Sequence, residues 1–545
     1  MQQMEINMLG QMMNTPLTIT DIMRHADKVN GDTEVVSITY DNSYHKYCLT
    51  DAFRRSRQLA NALQASGIGQ GQRVATLAWN DYRHLELYYA VSCSGAVLHT
   101  VNPRLFPEQI EYIINHAEDT IVFFDPLFAP LLEKIAKNIN CVNNFVMLTS
   151  ADKMPKCDLD NVIDYESYIA SHSETFDWPQ LQENQASSLC YTSGTTGHPK
   201  GVVYSHRSTV LHSLGSALPD AFSLSMDQTV MPIVPMFHVN GWGLAYSAPM
   251  TGAKLVLPGP KMADGETLAE LINNEKVTMT AGVPVIWLNL LEHLKQSDTD
   301  IPTLDRIIVG GSACPEILIN EFDELFNVSV HHAWGMTEMS PLGTFNQLKP
   351  KLKTLSDEQK MSYKLKQGRV VFGVDIRIED WQGNEIDWNG FEFGSMKVRG
   401  PWVASGYYKQ GEHTDDNGYF DTGDVASIDP DGYMLITDRS KDVIKSGGEW
   451  ISSIELENII VAHPDVKEAA VIGIPHRKWG ERPMVVIVTK GVEIEEQEIL
   501  DFYKGKVASF CIPDAVEFAE ELPHTATGKL SKKDLRSHYK DKILG

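Results

Sequence analysis

The chain has 545 residues, of which 43% are hydrophobic, and its 47 basic and 72 acidic residues give a formal net charge of −25. This length and apolar content are sufficient for several domains with buried cores and exclude a disordered chain. The negative charge opposes non-specific binding to nucleic acid or to an anionic membrane.

Short apolar runs alternate with amphipathic stretches along most of the chain. Residues 51–65 predict a helix, because Phe53, Leu59, Ala60 and Leu63 fall on one face. Buried strands are predicted at Arg73–Ala78, Thr120–Asp125, Phe145–Thr149, Lys254–Leu257 and Arg306–Val309. Strand and helix alternation over hundreds of residues predicts an α/β fold with parallel sheets.

The character of the chain changes after about residue 430. Asp429–Gly432 (DPDG) predicts a turn, and Asp438–Lys445 (DRSKDVIK) is a charged connector. Shorter alternating units follow, such as Glu468–Ile474 and Met484–Val488. We therefore predict an N-terminal domain over residues 1–440 and a C-terminal domain over 441–545.

The segment Tyr191–Val202 (YTSGTTGHPKGV) is the first one that indicates chemistry. It follows a predicted strand end at Ser187–Tyr191, and its glycines let the backbone approach a ligand closely. Its hydroxyls and Lys200 are suited to phosphate oxygens. The predicted phosphate-binding residues are Thr192, Ser193, Gly194, Thr195, Thr196, Gly197 and Lys200. A flexible surface turn is the alternative, and the pattern is not that of a P-loop.

Further motifs follow this loop in order, and together with it they resemble the acyl-adenylate-forming superfamily. They are Pro235–Gly243 (PMFHVNGWG), Trp334–Glu338 (WGMTE), Gly418–Asp424 (GYFDTGD), Asp438–Ser453 (DRSKDVIKSGGEWISS) and Pro523–Leu530 (PHTATGKL). Within the superfamily, the stretches MLGQMM, AVSCSGAVLHTVNPRLF and HAWGMTEMSP resemble bacterial medium-chain fatty-acid–CoA ligases and 3-methylmercaptopropionate–CoA ligases.

The resemblance implies a large N-terminal domain of layered sheets and helices and a small, mobile C-terminal α+β domain. It also implies an enzyme that uses ATP, Mg²⁺ and coenzyme A to activate a carboxylic acid as its adenylate. The acyl group then passes to a thiol. Relatives of this type are often homodimers.

The resemblance assigns roles to individual residues. Lys529 would bridge the carboxylate and the α-phosphate, and it forms the catalytic set with Glu338 and His238. Glu338 would hold Mg²⁺, and Thr195 would be a second residue at this ion. Nucleotide contacts are also assigned to Trp334, Gly335, Met336, Thr337, Asp424 and Arg439, with Asp424 and Arg439 on the ribose. Trp334 stands where the family usually has a tyrosine.

The resemblance also places the acyl pocket and the thiol tunnel. The acyl pocket would contain His238, Trp242, Gly310, Gly311 and Ser312. Trp242 matches a tryptophan that gates the acyl channel in fatty-acyl relatives, whereas His238 replaces the aspartate that amino-acid-activating relatives need. Lys441 would be the hinge, and the coenzyme A tunnel would take Ser446, Gly447, Gly448 and Glu449.

The seven cysteines are scattered and contain no CxxC pair, which predicts neither a disulfide framework nor a zinc site and favours the cytoplasm. No apolar run is long enough for a spanning helix. Two alternatives remain open for the acceptor and the acid: a carrier protein in place of coenzyme A, and a long-chain fatty acid. An inactive nucleotide-binding relative is disfavoured, because every expected catalytic position is filled.

Overall fold

The computed structural model of the chain describes residues 10–192, 198–447, 449–524 and 530–544. In chain order, the strands are β1 (Glu34–Ile38), β2 (Tyr44–Cys48), β3 (Arg73–Leu77), β4 (Val97–Thr100), β5 (Asp119–Phe124), β6 (Asn144–Met147), β7 (Val162–Asp164), β8 (Ala186–Tyr191), β9 (Gly201–Ser205), β10 (Thr229–Pro232), β11 (Lys254–Leu257), β12 (Met279–Gly282), β13 (Arg306–Val309), β14 (Ser329–Gly335), β15 (Leu342–Phe345), β16 (Gly368–Val370), β17 (Asp375–Glu379), β18 (Gly394–Arg399), β19 (Gly406–Tyr407), β20 (Gly411–Glu412), β21 (Phe420–Ile428), β22 (Tyr433–Arg439), β23 (Ile444–Ser446), β24 (Glu449–Ile451), β25 (Val466–His476), β26 (Gly480–Thr489) and β27 (Ala515–Phe518).

The α-helices surround these strands. They are α1 (Ile19–Val29), α2 (Leu49–Ala65), α3 (Tyr82–Cys93), α4 (Pro107–Ala117), α5 (Ala129–Ile135), α6 (Tyr165–Ala170), α7 (His206–Ala217), α8 (Leu244–Thr251), α9 (Gly265–Glu275), α10 (Pro284–Ser297), α11 (Glu316–Phe326), α12 (Asp357–Lys364), α13 (Ser453–Val461), α14 (Glu496–Tyr503) and α15 (Lys532–His538). Within the described ranges, none of them combines the length and the apolar character needed to cross a membrane.

The first sheet has seven strands in the order β7-β6-β5-β3-β4-β8-β9. Its neighbouring strands pair in parallel except β8 and β9, which form an antiparallel pair. Most connections between the parallel strands run through α-helices, the usual form of the crossover that parallel pairing requires. Helix α2, for example, buries the four apolar residues that the sequence placed on one face.

The second sheet has thirteen strands in the order β17-β18-β21-β22-β16-β15-β14-β13-β12-β10-β11-β1-β2. Along this order, the neighbours from β14 through β13, β12, β10 and β11 to β1 pair in parallel. At one end β2 pairs antiparallel with β1, and at the other end all pairs from β14–β15 to β18–β17 are antiparallel. The parallel half matches the sequence prediction. The antiparallel half is an addition to it, since these strands come from a region where no helical pattern was predicted.

The third sheet belongs to the C-terminal part of the chain. It has the order β24-β23-β26-β25, and β27 pairs with β26. Strands β25 and β26 contain the two alternating segments that the sequence predicted there. The predicted boundary at residue 440 falls between β22 and β23, the last strand of one sheet and the first of another. It remains a prediction.

The individual sequence predictions agree closely with these elements. Strands β11 and β13 match their predicted ranges, and β3, β5 and β6 match to within two residues. The helix predicted from residue 51 begins at Leu49. All seven cysteines are free thiols.

Candidate active site

The predicted site residues gather at one edge of the thirteen-stranded sheet. Strands β10, β12, β13 and β14 are neighbours and run parallel. Their carboxyl ends therefore lie together, and they lead into residues 235–243, 283–287, 310–312 and 336–338. Ligands of parallel α/β sheets bind at this end of the strands. The sheet topology thus brings together four segments that are spread over residues 235–338 of the sequence.

The phosphate-loop segment begins and ends on the antiparallel pair β8 and β9. The Thr192 amide donates to the Lys200 carbonyl at 2.9 Å, and the Lys200 amide donates to Thr192 Oγ1 at 3.2 Å. These two bonds fix both ends of the loop against each other. Five of its predicted phosphate contacts, Ser193, Gly194, Thr195, Thr196 and Gly197, lie outside the described residues.

Tyr407 joins the predicted metal ligand to the predicted phosphate lysine. Its hydroxyl donates to Glu338 Oε1 at 2.7 Å, and Lys200 Nζ lies 4.5 Å from the centre of its ring. Glu338 is buried, and this burial raises the pKa of its carboxyl, although the Tyr407 hydrogen bond and the charges of Arg439 and Lys200 act in the opposite direction. The sequence did not single out Tyr407, because its Gly-Tyr-Tyr context has no pattern that indicates chemistry.

The surroundings of Glu338 fit a magnesium ion that a single protein carboxylate and the substrate's phosphates share. The Tyr407 hydroxyl donates to Oε1, and a carboxylate with two oxygens has further lone pairs that can bind a cation. Among the residues that the structure describes, no group of three His, Cys, Asp or Glu side chains could hold a metal ion by itself. Mg²⁺ in phosphate-transferring sites is bound in this way, through one or two carboxylates, substrate phosphates and water.

Trp334, Asp424 and Arg439 form a hydrogen-bonded group at the end of β14 and across β21 and β22. Asp424 and Arg439 are directly paired residues of these two strands. The Trp334 indole Nε1 donates to Asp424 Oδ2 at 3.0 Å, and Arg439 Nε lies 2.9 Å from Asp424 Oδ1. Asp424 is buried whereas half of the Arg439 side chain is exposed, so the guanidinium group of Arg439 is the charged part of this group that solvent reaches.

Trp334→Phe should weaken ATP binding about tenfold. Phenylalanine keeps an aromatic face but removes the N–H that donates to the Asp424 carboxylate. A hydrogen bond to a charged group is worth about 1.5–3 kcal/mol, and 1.4 kcal/mol corresponds to a factor of ten in affinity. Titration calorimetry with ATP measures the change, and Trp381→Phe on an exposed tryptophan is the matched control. Wild-type affinity in Trp334→Phe would contradict this role of the indole.

The residues next to Trp334 in the WGMTE motif are fixed by contacts of their backbone. Gly335 ends β14, and the Met336 amide donates to the Pro341 carbonyl at 3.2 Å. Thr337 is buried, and its backbone carbonyl accepts a hydrogen bond from the Tyr204 hydroxyl. The motif is therefore held by its backbone.

The predicted acyl pocket has Trp242 and Gly310 in direct contact. A β-carbon on Gly310 would lie 2.6 Å from Trp242 Cη2, so only glycine accommodates the indole at this position. Gly311 has a φ of +84°, a conformation that favours glycine, and the Ser312 carbonyl accepts from His332 Nε2 at 3.2 Å. His238 is half-buried and immediately precedes the short helical turn that contains Trp242.

Gly310→Ala should lower kcat/KM for the acid about tenfold or more, because the added methyl group displaces the Trp242 ring. Overpacking a close contact typically costs about 1–3 kcal/mol. The ATP KM should change less than the acid KM, since Trp334 and Asp424 are not in this contact. Gly69→Ala is the control, because its β-carbon would meet only Gln72 Oε1, at 3.7 Å. An unchanged acid KM would place Gly310 outside the acyl pocket.

The predicted hinge and tunnel residues lie at the start of the C-terminal sheet. Lys441 is in the turn between β22 and β23, and burial lowers the pKa of its ammonium group. Ser446 ends β23 and is buried, while Gly447 lies against Trp479: a β-carbon there would lie 2.8 Å from the indole. Glu449 begins β24. Gly448 and Lys529 lie outside the described residues.

Comparisons with known proteins give matches over nearly the full length of the chain. The family model AMP-binding enzyme matches residues 23–408, and the model AMP-binding enzyme C-terminal domain matches residues 455–529. A 3-methylmercaptopropionyl-CoA ligase of Ruegeria lacuscaerulensis is 48% identical over 99% of this chain and 100% of its own. A medium-chain-fatty-acid–CoA ligase of Ectopseudomonas oleovorans is 47% identical over 98% of both chains. The crystal structure of ATP-bound MatB from Rhodopseudomonas palustris is 28% identical, with a TM-score of 0.80 over 96% of this chain and 99% of its own.

Proposed function

The chain belongs to the AMP-binding enzyme family, and we propose that the site described above converts a carboxylic acid, ATP and coenzyme A into an acyl-CoA, AMP and pyrophosphate. The enzyme is thus an AMP-forming acyl-CoA ligase. The observation that carries this assignment is the meeting of two residue groups at one sheet edge. One group, Trp334, Asp424 and Arg439, is suited to a nucleoside, and the other, Glu338, Tyr407 and Lys200, is suited to its phosphates.

The chemistry follows from the nature of the acid. A carboxylate is a poor acyl donor, because its charge repels nucleophiles and oxide is a poor leaving group. Its attack on the α-phosphorus of ATP forms an acyl-adenylate and releases pyrophosphate. The thiol of coenzyme A then attacks the acyl carbon, the bond to the AMP oxygen breaks, and the products are a thioester and AMP.

The nucleoside group binds and orients ATP. Asp424 accepts hydrogen bonds from the ribose hydroxyls, and Arg439 donates to them from the more exposed side of the pair. The Trp334 hydrogen bond to Asp424 fixes the direction of the carboxylate before the ribose arrives. Trp334 also offers the adenine a larger aromatic face than a tyrosine would.

The phosphate group lowers the repulsion between the triphosphate and the attacking carboxylate. Lys200 contributes a positive charge close to Glu338, and Tyr407 keeps the Glu338 carboxylate in one orientation. Magnesium, when bound to Glu338 and to the phosphates, neutralises negative charge that would otherwise oppose the attack. Thr195 is a second residue that we propose for this ion, and Lys529 is proposed to bridge the carboxylate and the α-phosphate.

The second half-reaction needs a path for the coenzyme A thiol. We place this path beside Ser446, Gly447, Gly448 and Glu449. Gly447 has no side chain, and its backbone lies so close to Trp479 that a β-carbon there would be 2.8 Å from the indole. Lys441 is the hinge about which the C-terminal domain would turn between the two half-reactions. Support for this alternation comes from the family resemblance and from the position of Lys441 between two sheets.

The acid is a medium-chain fatty acid or 3-methylmercaptopropionate in our proposal. Both classes occur in the names of relatives nearly half identical to this chain. Trp242 against Gly310 supplies an apolar wall. His238 replaces the aspartate that amino-acid-activating relatives need for the α-ammonium group, which opposes amino acids as substrates. His238 stands beside this wall and is proposed to contribute to the same pocket.

A steady-state panel tests the proposed acid most directly. It contains straight-chain acids from four carbons upward, 3-methylmercaptopropionate and an amino acid, each with ATP, Mg²⁺ and coenzyme A. We expect the highest kcat/KM for a medium-chain acid or for the thioether acid. A maximum among long-chain acids would replace the proposed substrate and leave the ligase assignment intact. Transfer to a carrier protein without any transfer to coenzyme A would replace the acceptor.

Two further parts of the proposal rest on the sequence. The scattered free cysteines favour the cytoplasm, a reducing compartment, as the location of the protein. The family resemblance favours a homodimer.

A further inference from the structure

The segment Val239–Gly243 is a short turn of left-handed helix. All five residues have positive φ values: 43° for Val239, 38° for Asn240, 55° for Gly241, 55° for Trp242 and 75° for Gly243. Glycine adopts this conformation readily and asparagine tolerates it better than most residues, whereas a tryptophan or a β-branched residue such as Val239 adopts it rarely. Each strained residue costs of the order of 1–3 kcal/mol, so surrounding contacts must hold the turn in place.

The side chain of Asn240 supplies these contacts. It is buried, and its Nδ2 donates to Ser188 Oγ at 2.6 Å. Its Oδ1 accepts from Thr100 Oγ1 at 2.9 Å and from Cys190 Sγ at 2.8 Å. The three partners belong to β4 and β8 of the seven-stranded sheet, whereas the turn follows β10 of the other sheet. Asn240 therefore fastens the turn to a rigid element of a second sheet.

A second asparagine holds the approach to the turn in the same manner. Asn80 Nδ2 donates to the carbonyls of Pro232 and Val234 at 2.9 and 2.8 Å, and its Oδ1 accepts from the Met236 amide at 2.6 Å. The incoming chain is thus already fixed at Met236. The left-handed conformation of the turn itself is held by Asn240, through the three buried hydrogen bonds of its side chain.

The hand of the turn decides where Trp242 points. With a φ of 55°, the Trp242 indole reaches the glycine wall, where a β-carbon on Gly310 would meet its Cη2 atom. In a right-handed turn the Cα–Cβ bond would leave the backbone in a different direction. Gly243, the next residue, has no space for a side chain in this conformation, because a β-carbon there would lie 2.7 Å from His212 Nδ1.

We propose that Asn240 is a positioning residue for acid selection: it holds the left-handed turn, and the turn seats Trp242 against the acyl wall. This inference rests on the proposed function, since it requires that the wall beside Gly310 receives the acyl chain. A firmly seated indole sets a fixed limit to the space for the chain, whereas a loosened indole lets acids of different length compete more evenly. Asn240 contributes through its three hydrogen bonds and does not touch the reacting atoms.

The experiment compares the acid selectivity of four variants with that of the wild type. Selectivity is the ratio of kcat/KM for the best acid to kcat/KM for an acid four carbons longer or shorter. Asn240→Ala and Asn240→Gly both remove the anchor, but glycine also removes the backbone strain at this position. Asn240→Asp retains the acceptor oxygen and loses the donor to Ser188. Val239→Gly relieves strain and leaves the anchor intact, so it is the matched control.

We expect the selectivity ratio to fall about tenfold or more in Asn240→Ala and Asn240→Gly, the discrimination that one or two methylene groups in a fixed pocket provide. The ATP KM should stay within about twofold, Asn240→Asp should be intermediate, and Val239→Gly should keep the wild-type ratio. A merely structural role would instead lower the melting temperature with an unchanged ratio, and that result would overturn the inference. An equal loss for all acids would also overturn it. Absence of thioester formation in the wild type would instead refute the proposed function.

Discussion

Replacing Lys529 with alanine should reduce acid-dependent exchange of pyrophosphate into ATP about 10²–10³-fold or more. This lysine is proposed to stand between two anions, the substrate carboxylate and the α-phosphate, whose mutual repulsion rises as they approach. Removing a single group that stabilises developing charge in a water-poor site typically costs this factor in rate.

The second half-reaction separates this role from a general loss of structure. Thioester formation from preformed acyl-adenylate and coenzyme A should remain within about threefold of wild type in Lys529→Ala, since the anhydride bond between the acyl group and the α-phosphate already exists. Lys533→Ala is the matched control, because Lys533 is an exposed lysine four residues away in the same Lys-rich tail. Equal losses in both half-reactions would contradict the alternation of the C-terminal domain about Lys441.

Replacing Glu338 with glutamine should lower the adenylation rate about 10²-fold and raise the Mg²⁺ concentration needed for half-maximal activity. Glutamine has the same shape and an oxygen that can accept from Tyr407, but it has no charge for a cation. Burial opposes the charged form of Glu338, so the neutral variant should be at least as stable as the wild type in thermal unfolding. Glu266→Gln, on an exposed acid at the start of α9, is the control.

The pH profile gives an independent measure of the same residue. Because burial raises the pKa of Glu338, its carboxylate becomes protonated as the pH falls through that raised value, and the rate should fall with it. Raising the Mg²⁺ concentration should shift this acidic limb toward lower pH, because the cation binds the carboxylate form. Glu338→Gln should lack the limb. An acidic limb that is identical in Glu338→Gln and in the wild type would assign it to another group.

The sequence predicted those parts of the fold whose signal is local. Buried strands such as β11 and β13 are short apolar runs, and α2 has a repeating apolar face, so each could be located without its neighbours. The antiparallel half of the thirteen-stranded sheet could not be located in this way. Its pairs, such as β16 with β22, join residues more than 60 positions apart and depend on the fold as a whole.

The same distinction holds within the site. The motifs predicted which residues come together, and the structure places Trp334, Asp424 and Arg439 in one hydrogen-bonded group. It also adds two residues whose roles depend on tertiary contacts. Tyr407 acquires its place only because β19 lies beside β9, and Asn240 only because β4 and β8 lie beside the turn after β10. The glycines of the VNGWG stretch were the available sign of an unusual backbone, but they did not reveal its hand.

The central claim is that one protein molecule activates an acid as its adenylate and then transfers the acyl group to coenzyme A. Its most direct test follows AMP, pyrophosphate and acyl-CoA together, with a medium-chain acid and with 3-methylmercaptopropionate. We predict that the three products form in equal amounts, and that without coenzyme A the acid still drives exchange of pyrophosphate into ATP. Formation of ADP and phosphate, or the absence of acid-dependent exchange with any acid tested, would contradict the claim.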